Sequence, residues 1–63
     1  MIEKLESTST GSETLLVVED NTLVRQLVTR VLRDHGFNVF EAANGMQALA
    51  FAKEIPVNAF IFC

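Results

Sequence analysis

The sequence predicts an α/β domain, built on a parallel sheet with helices on its faces, and three observations support this fold class. First, residues 15–18 and 59–63 are short apolar segments without polar alternation, as in strands buried on both faces. Second, apolar residues recur at helical spacing between them. Third, the predicted elements alternate as β-α-β-α-β with short connections, and right-handed crossovers turn such an order into a parallel sheet.

Length and composition limit the chain to one small domain with a marginal core. Its 63 residues are 49% hydrophobic, yet a domain of this size buries only about 60% of the surface that its unfolded chain exposes. A single cysteine excludes an intramolecular disulfide, and no Cys/His cluster predicts a structural metal. We therefore expect the chain to be a fragment of a larger domain.

Charge and hydropathy argue against several classes of partner. The net charge is −3, and the five basic residues form no patch in the sequence, which disfavours nucleic acid and anionic membranes. No apolar segment is long enough to span a bilayer, and the first residues lack the apolar core of a secretory signal. A cytoplasmic location is the resulting expectation.

The chain divides into two predicted parts. Residues 1–13 include a Ser/Thr-rich segment with little to bury and are predicted to be a flexible tail or linker. Residues 14–63 contain the strands and helices and are predicted to form the domain. Its strands are predicted at 14–19, 37–42 and 57–63. The third strand, apolar from Ala59 onward, is expected to be buried on both faces.

The first helix is the most regular element of the sequence. Asn21 or Thr22 is placed to cap it, His35 to complement its dipole at the far end, and Gly36 to end it in the left-handed conformation. We expect a core stripe of Leu23, Val24, Leu27, Val28, Val31 and Leu32. The opposite, solvated face is expected to carry Arg25, Gln26, Thr29, Arg30 and Arg33.

A second helix, rich in Ala and Leu, is predicted at residues 46–54. Asn44 is its expected cap, and Pro56 prevents its continuation. Its inward stripe is expected to consist of Ala48, Leu49 and Ala52, with Phe51 beside it.

Two adjacent acids, Glu19 and Asp20, follow the first strand directly. Open α/β sheets bind their ligands outside the carboxyl ends of the strands, so this pair is the first candidate for a functional site. The alternative is a solvated turn whose negative charge stabilises the start of the first helix.

Several segments together resemble the receiver domain of two-component response regulators. They are residues 15–21 (LLVVEDN), the helix that contains Arg25 and leads into residues 32–37 (LRDHGF), the strand around Val39, and residues 41–49 (EAANGMQAL). The resemblance covers residues 14–63, in the order and at the spacing of that family. It corresponds to the first half of a receiver domain.

The resemblance implies a fold and a site. The fold would be a flavodoxin-like, doubly wound parallel sheet in which these three strands take the order 2-1-3. Glu19 and Asp20 match the acids that coordinate Mg²⁺ in the family, and Mg²⁺ prefers one or two carboxylates together with waters and phosphate oxygens. The family docks kinases partly through its first helix, so Arg25 is a candidate docking residue, with a solvated helix face as the alternative.

The sequence departs from the family at the phosphoacceptor position. The family has an Asp at the end of the third strand, which accepts a phosphoryl group from a histidine kinase, whereas this sequence has Cys63. A thiolate is a soft ligand and a poor partner for Mg²⁺. Cys63 is expected to be an apolar core residue or the result of a truncation, with a reactive thiol or phosphoacceptor as the alternative. The family's later switch residues, a Ser/Thr and a Lys, have no counterpart in this sequence.

The sequence therefore predicts a receiver-domain fragment of a two-component phosphorelay, with Mg²⁺ as cofactor and a histidine kinase or phosphotransfer protein as partner. We expect that it is not phosphorylated by itself, because the acceptor Asp and the switch residues are absent. We also expect that it is not an enzyme, because it has no nucleophile–base pair, no metal cluster and no Gly-rich phosphate loop. Two alternatives stay open. One is a non-catalytic interaction module or decoy that binds a partner or a second copy through the edge of the third strand. The other is a non-functional gene fragment.

Overall fold

The computed structural model describes residues 13–63, so the predicted tail lies outside the described residues except for Glu13. Each predicted boundary agrees with the structure to within two residues. In chain order the elements are β1 (Thr14–Val18), α1 (Thr22–Asp34), β2 (Asn38–Ala42), α2 (Gly45–Glu54) and β3 (Ala59–Phe62). Within this part of the chain, neither helix is long and apolar enough to cross a membrane.

Both helices begin at the predicted asparagine caps. The Asn21 Oδ1 atom accepts a hydrogen bond from the Val24 backbone N–H at 3.0 Å, and the Asn44 Oδ1 atom accepts one from Gln47 at 2.9 Å. These bonds satisfy amides that the first helical turn leaves without a partner. At the other end of α1, Gly36 has a φ of 94°, which confirms its predicted left-handed conformation.

The three strands form one parallel sheet in the order β2-β1-β3, with β1 in the middle. Leu15 lies opposite Val39 in β2 and opposite Ala59 in β3. The predicted fold class and strand order are therefore confirmed, and the chain has the architecture of a flavodoxin-like fragment. Because β1 is hydrogen-bonded along both of its edges, it is the central strand, and one helix can cover each of its two faces.

The helices lie on opposite faces of the sheet. Ala48 of α2 belongs to a buried cluster with Leu16 and Val18, and Phe51 packs against that cluster. Arg25 of α1 pairs with Glu41, whose side chain points to the face opposite that of its neighbour Ala42, a member of the same cluster. The predicted two-faced burial of β1 is thereby confirmed, since Leu15 to Val18 are all buried.

The predicted core stripe of α1 is wrong for most of its members. Leu23, Val24, Leu27 and Val31 are exposed, Leu27 by 63%, whereas Val28 and Leu32 are half-buried. Thr29, predicted on the solvated face, is only 1% exposed. The reason is that α1 contacts β1 and β2 but not β3, so the flank that carries the stripe has no strand beneath it in the described part of the chain.

Two further expectations about burial are corrected. In α2, Ala48 is buried and Phe51 half-buried, but Leu49 and Ala52 are exposed. In β3, Phe60 and Phe62 are exposed, the latter by 70%, so this strand is not buried on both faces. Within residues 13–63, α2 contacts β1 and β2 but not β3. The α2-side face of β3 is therefore uncovered.

Thr29 generates a stability prediction. Its hydroxyl is buried and, within the described part of the chain, has no hydrogen-bond partner, which costs the native state desolvation energy. Thr29→Val keeps the shape and removes the hydroxyl, so we expect the free energy of unfolding to rise by about 1 kcal/mol in urea denaturation followed by circular dichroism. Thr29→Ser, which keeps the hydroxyl and removes the methyl group, should lower it. A loss of stability in Thr29→Val would show that the hydroxyl is satisfied.

The exposed stripe of α1 generates a second prediction. Leu27→Gln should change the free energy of unfolding by less than about 0.5 kcal/mol, because the side chain is already in solvent. Leu16→Ala, at a fully buried position, should cost about 2–5 kcal/mol in the same urea titration. Equal losses in the two variants would mean that the stripe belongs to the core.

Candidate metal site at the carboxyl edge

The candidate site lies where β1 and β3 end side by side. Glu19 and Asp20 follow β1, and Cys63 follows β3. The Cys63 backbone N–H donates to the Val18 carbonyl at 3.4 Å, which places Cys63 beside the start of the acid pair. Cys63 is exposed, which contradicts its interpretation as a core residue; its other interpretations stay predictions.

Three hydrogen bonds hold Glu19. Its N–H donates to the Ala42 carbonyl at 3.0 Å, its Oε2 atom accepts from the Asn21 N–H at 2.8 Å, and its carbonyl accepts from Arg25 Nη1 at 2.7 Å. Glu19 is half-buried, and Asp20 is exposed. The pair therefore presents one fixed carboxylate and one in solvent.

The contact between Glu19 and Asn21 also bears on the alternative interpretation of the acid pair. A carboxylate that accepts an N–H at the start of a helix is favourably placed in the field of the helix dipole. The structure is thus compatible with a stabilising turn as well as with a ligand site. Glu19 can fill both roles, because Oε2 accepts the Asn21 N–H at the start of α1 while Oε1 can bind a ligand.

Arg25 lies beside the acid pair rather than on the outer face of α1. Its Nε atom is 3.2 Å from Glu41 Oε1, and its side chain is 16% exposed. The role of Arg25 in docking a partner remains a prediction. Glu41 was not singled out from the sequence, because nothing local distinguishes it from other charged residues of a strand. Only its register opposite Val17 places it under α1.

The donor set limits which ions this edge can hold. Within residues 13–63, no group of three or more His, Cys, Asp or Glu side chains is arranged to hold a metal. Glu19 and Asp20 supply two carboxylates, which suit Mg²⁺, an ion that keeps several waters. The Cys63 sulfur does not add to such a site, because thiolates select softer metals. The residues fit a weakly held, largely hydrated Mg²⁺.

Curated relatives match most of this chain. A protein named response regulator NtrX-like from Rickettsia bellii is 43% identical over 47 residues, 75% of this chain. The sensor kinase CckA of Brucella abortus is 43% identical over 54 residues, 86% of this chain. A cyclic di-GMP phosphodiesterase of Thermotoga maritima is 39% identical over 44 residues, 70% of this chain. The chain spans 10%, 6% and 12% of the lengths of these relatives, respectively.

Two other comparisons gave no match. No family model matches the chain. No solved structure gives a significant match.

The fold places the chain in the class of α/β domains with a parallel sheet, and the acid pair lies at the carboxyl edge, where open sheets of this class generally bind their ligands. Within that class, the relatives confirm the predicted resemblance: the chain is related to response regulators, and the matches support a receiver-domain fragment.

Proposed function

We propose that residues 14–63 serve as the N-terminal half of a receiver module in two-component phosphorelay signalling, in the cytoplasm. One observation carries this proposal: Glu19 and Asp20 leave the central strand of a parallel sheet at its carboxyl edge, beside the end of β3. The relatives named response regulator and sensor kinase support it. A histidine kinase or phosphotransfer protein is the partner that this role requires.

Glu19 and Asp20 are the residues that would hold Mg²⁺. When bound, the ion supplies positive charge that offsets the charge of phosphate oxygens. The chain's own contribution is to orient the acids. Asn21 keeps one oxygen of Glu19 directed toward the start of α1, while the exposed Asp20 carboxylate can reach a hydrated ion.

We further propose that this chain neither takes up a phosphoryl group by itself nor acts as an enzyme. The family's acceptor is a carboxylate at the end of the third strand, and Cys63 occupies that position. A thiol there provides no third oxygen ligand for Mg²⁺, so the metal and the acceptor are not coupled as the family's chemistry needs. The acid pair contributes to a pocket without completing it.

Incubation of the 63-residue chain with Mg²⁺ and acetyl phosphate tests the absence of phosphorylation. The expected result is no mass increase of one phosphoryl group in intact-mass spectrometry, because the acceptor carboxylate is missing. A stoichiometric adduct would contradict the proposal.

Titration with Mn²⁺, monitored by paramagnetic broadening of amide resonances, tests the proposed metal site at Glu19 and Asp20. Asp20→Asn should weaken binding by at least about tenfold, because one of two carboxylates is lost. Asp34→Asn is the matched control: it removes the same charge from the last residue of α1, at the end of the helix away from the site, and should change binding little. Equal weakening in both variants would indicate nonspecific attraction to an acidic protein.

A second candidate function, self-association through β3, is favoured by the difference between the two edges of the sheet. On the β2 edge, the Val39 carbonyl accepts a hydrogen bond from Arg33 Nη2 at 2.8 Å, which blocks an outward-facing backbone group. On the β3 side, Phe60 and Phe62 are exposed, with ring centroids 6.2 Å apart. An uncovered apolar strand at a sheet edge favours pairing with another chain.

Sedimentation equilibrium of the 63-residue chain tests this second candidate. Phe60→Lys should abolish association, because it places a charge on the pairing strand. Leu23→Lys puts the same charge on an exposed apolar position of α1 and should leave association intact. Glu19→Ala with Asp20→Ala should also leave it intact. Association that survives Phe60→Lys, or that depends on the acid pair, would exclude the β3 edge as the interface.

A further inference from the structure

We propose that Arg25 is a positioning residue for the acid pair: its guanidinium ties the turn of residues 19–21 to the end of β2. This inference rests on the proposed function for the metal that the acids hold, and on the geometry alone for the turn itself. The guanidinium makes two bonds in different directions. Nη1 donates to the Glu19 carbonyl at 2.7 Å, and Nε donates to Glu41 Oε1 at 3.2 Å.

The Glu19 carbonyl is the atom through which the direction of Asp20 is set. It belongs to the peptide unit that joins Glu19 to Asp20, and that unit is planar and rigid. The Glu19 N–H is already held by Ala42 of β2. With Arg25 on the carbonyl, the Glu19 backbone is fixed on both sides, and the plane from which Asp20 departs is fixed with it.

Glu41 holds Arg25 in the position that this role requires. It lies in β2 opposite Val17, and its carboxylate faces the guanidinium in a partly buried setting, where the Arg25 side chain is 16% exposed. The backbone of Arg25 adds a further contact, since the Arg25 N–H donates to the Asn21 carbonyl at 2.9 Å. The side chain and the backbone of Arg25 thus hold both ends of the three-residue turn.

The chemistry of the side chain explains why an arginine suits this position. A planar guanidinium presents several N–H groups at fixed angles, so it can reach a carbonyl and a carboxylate at the same time, whereas a lysine ammonium acts as a compact point charge. The positive charge by itself disfavours a cation at the acid pair, and Glu41 offsets that charge. The benefit of Arg25 to a cation site is therefore geometric.

The charge of Arg25 and its positioning role predict opposite effects of Arg25→Ala on cation binding. Removing a nearby positive charge should by itself tighten cation binding. Releasing the turn should weaken it. We expect a weakening of Mn²⁺ binding of about tenfold in Arg25→Ala, an intermediate loss in Arg25→Lys, and a smaller loss in Glu41→Gln, which keeps the bond to the Glu19 carbonyl.

Amide hydrogen exchange of the metal-free 63-residue chain supplies the second readout. In Arg25→Ala the amides of Glu19 and Asn21 should exchange at least about tenfold faster, corresponding to the loss of one charge-assisted hydrogen bond. Amides in the middle of α2 should be unaffected. An equal acceleration throughout the chain would assign Arg25 to general stability and overturn the proposal, as would unchanged exchange at the turn or tighter Mn²⁺ binding.

The two readouts distinguish failure of the inference from failure of the proposed function. A wild-type chain that binds no Mn²⁺ would contradict the metal site, and the exchange rates at Glu19 and Asn21 would still decide whether Arg25 positions the turn. If the wild-type chain and Arg25→Ala bind Mn²⁺ with equal affinity, only the positioning role of Arg25 is contradicted.

Discussion

The double pairing of β1 is the constraint on which the rest of the structure depends. This strand is hydrogen-bonded to β2 on one side and β3 on the other, and its residues from Leu15 to Val18 are buried. A shift of one residue in register would move its side chains to the wrong faces and break both ladders at once. The direction in which the chain leaves the strand at Glu19 is therefore determined by the whole sheet.

The carboxyl edge shows how this constraint is passed on to the candidate site. β2 reaches the acid pair through the Ala42 carbonyl and through Glu41, and α1 reaches it through Asn21 and Arg25. These contacts link elements that are distant in sequence but meet at one edge. Loops that carry function are generally held by such a scaffold rather than by their own composition. Here the scaffold positions Glu19 closely and leaves Asp20 in solvent.

The exposed apolar surface is the other consequence of a sheet of three strands. Both helices pack on β1 and β2, so the outer flank of α1 and the α2-side face of β3 are uncovered within the described residues. These two uncovered regions lie on opposite faces of the sheet. Arg33 binds the Val39 carbonyl, so this backbone group at the β2 edge already has a hydrogen-bond partner.

Local sequence signals determined which elements form and where they begin and end, because strand runs, asparagine caps and a left-handed glycine act over a few residues. They also placed Glu19 and Asp20 directly after β1, since a position after a buried strand can be read from the chain alone. Which side of α1 faces the sheet was decided only in three dimensions: the apolar stripe predicted a core face, yet Thr29 is buried and Leu27 is not. Helical periodicity gives a stripe without giving the width of the surface beneath it. The contact of Arg25 with Glu41 likewise depended on strand register, which pairs residues that no local pattern connects.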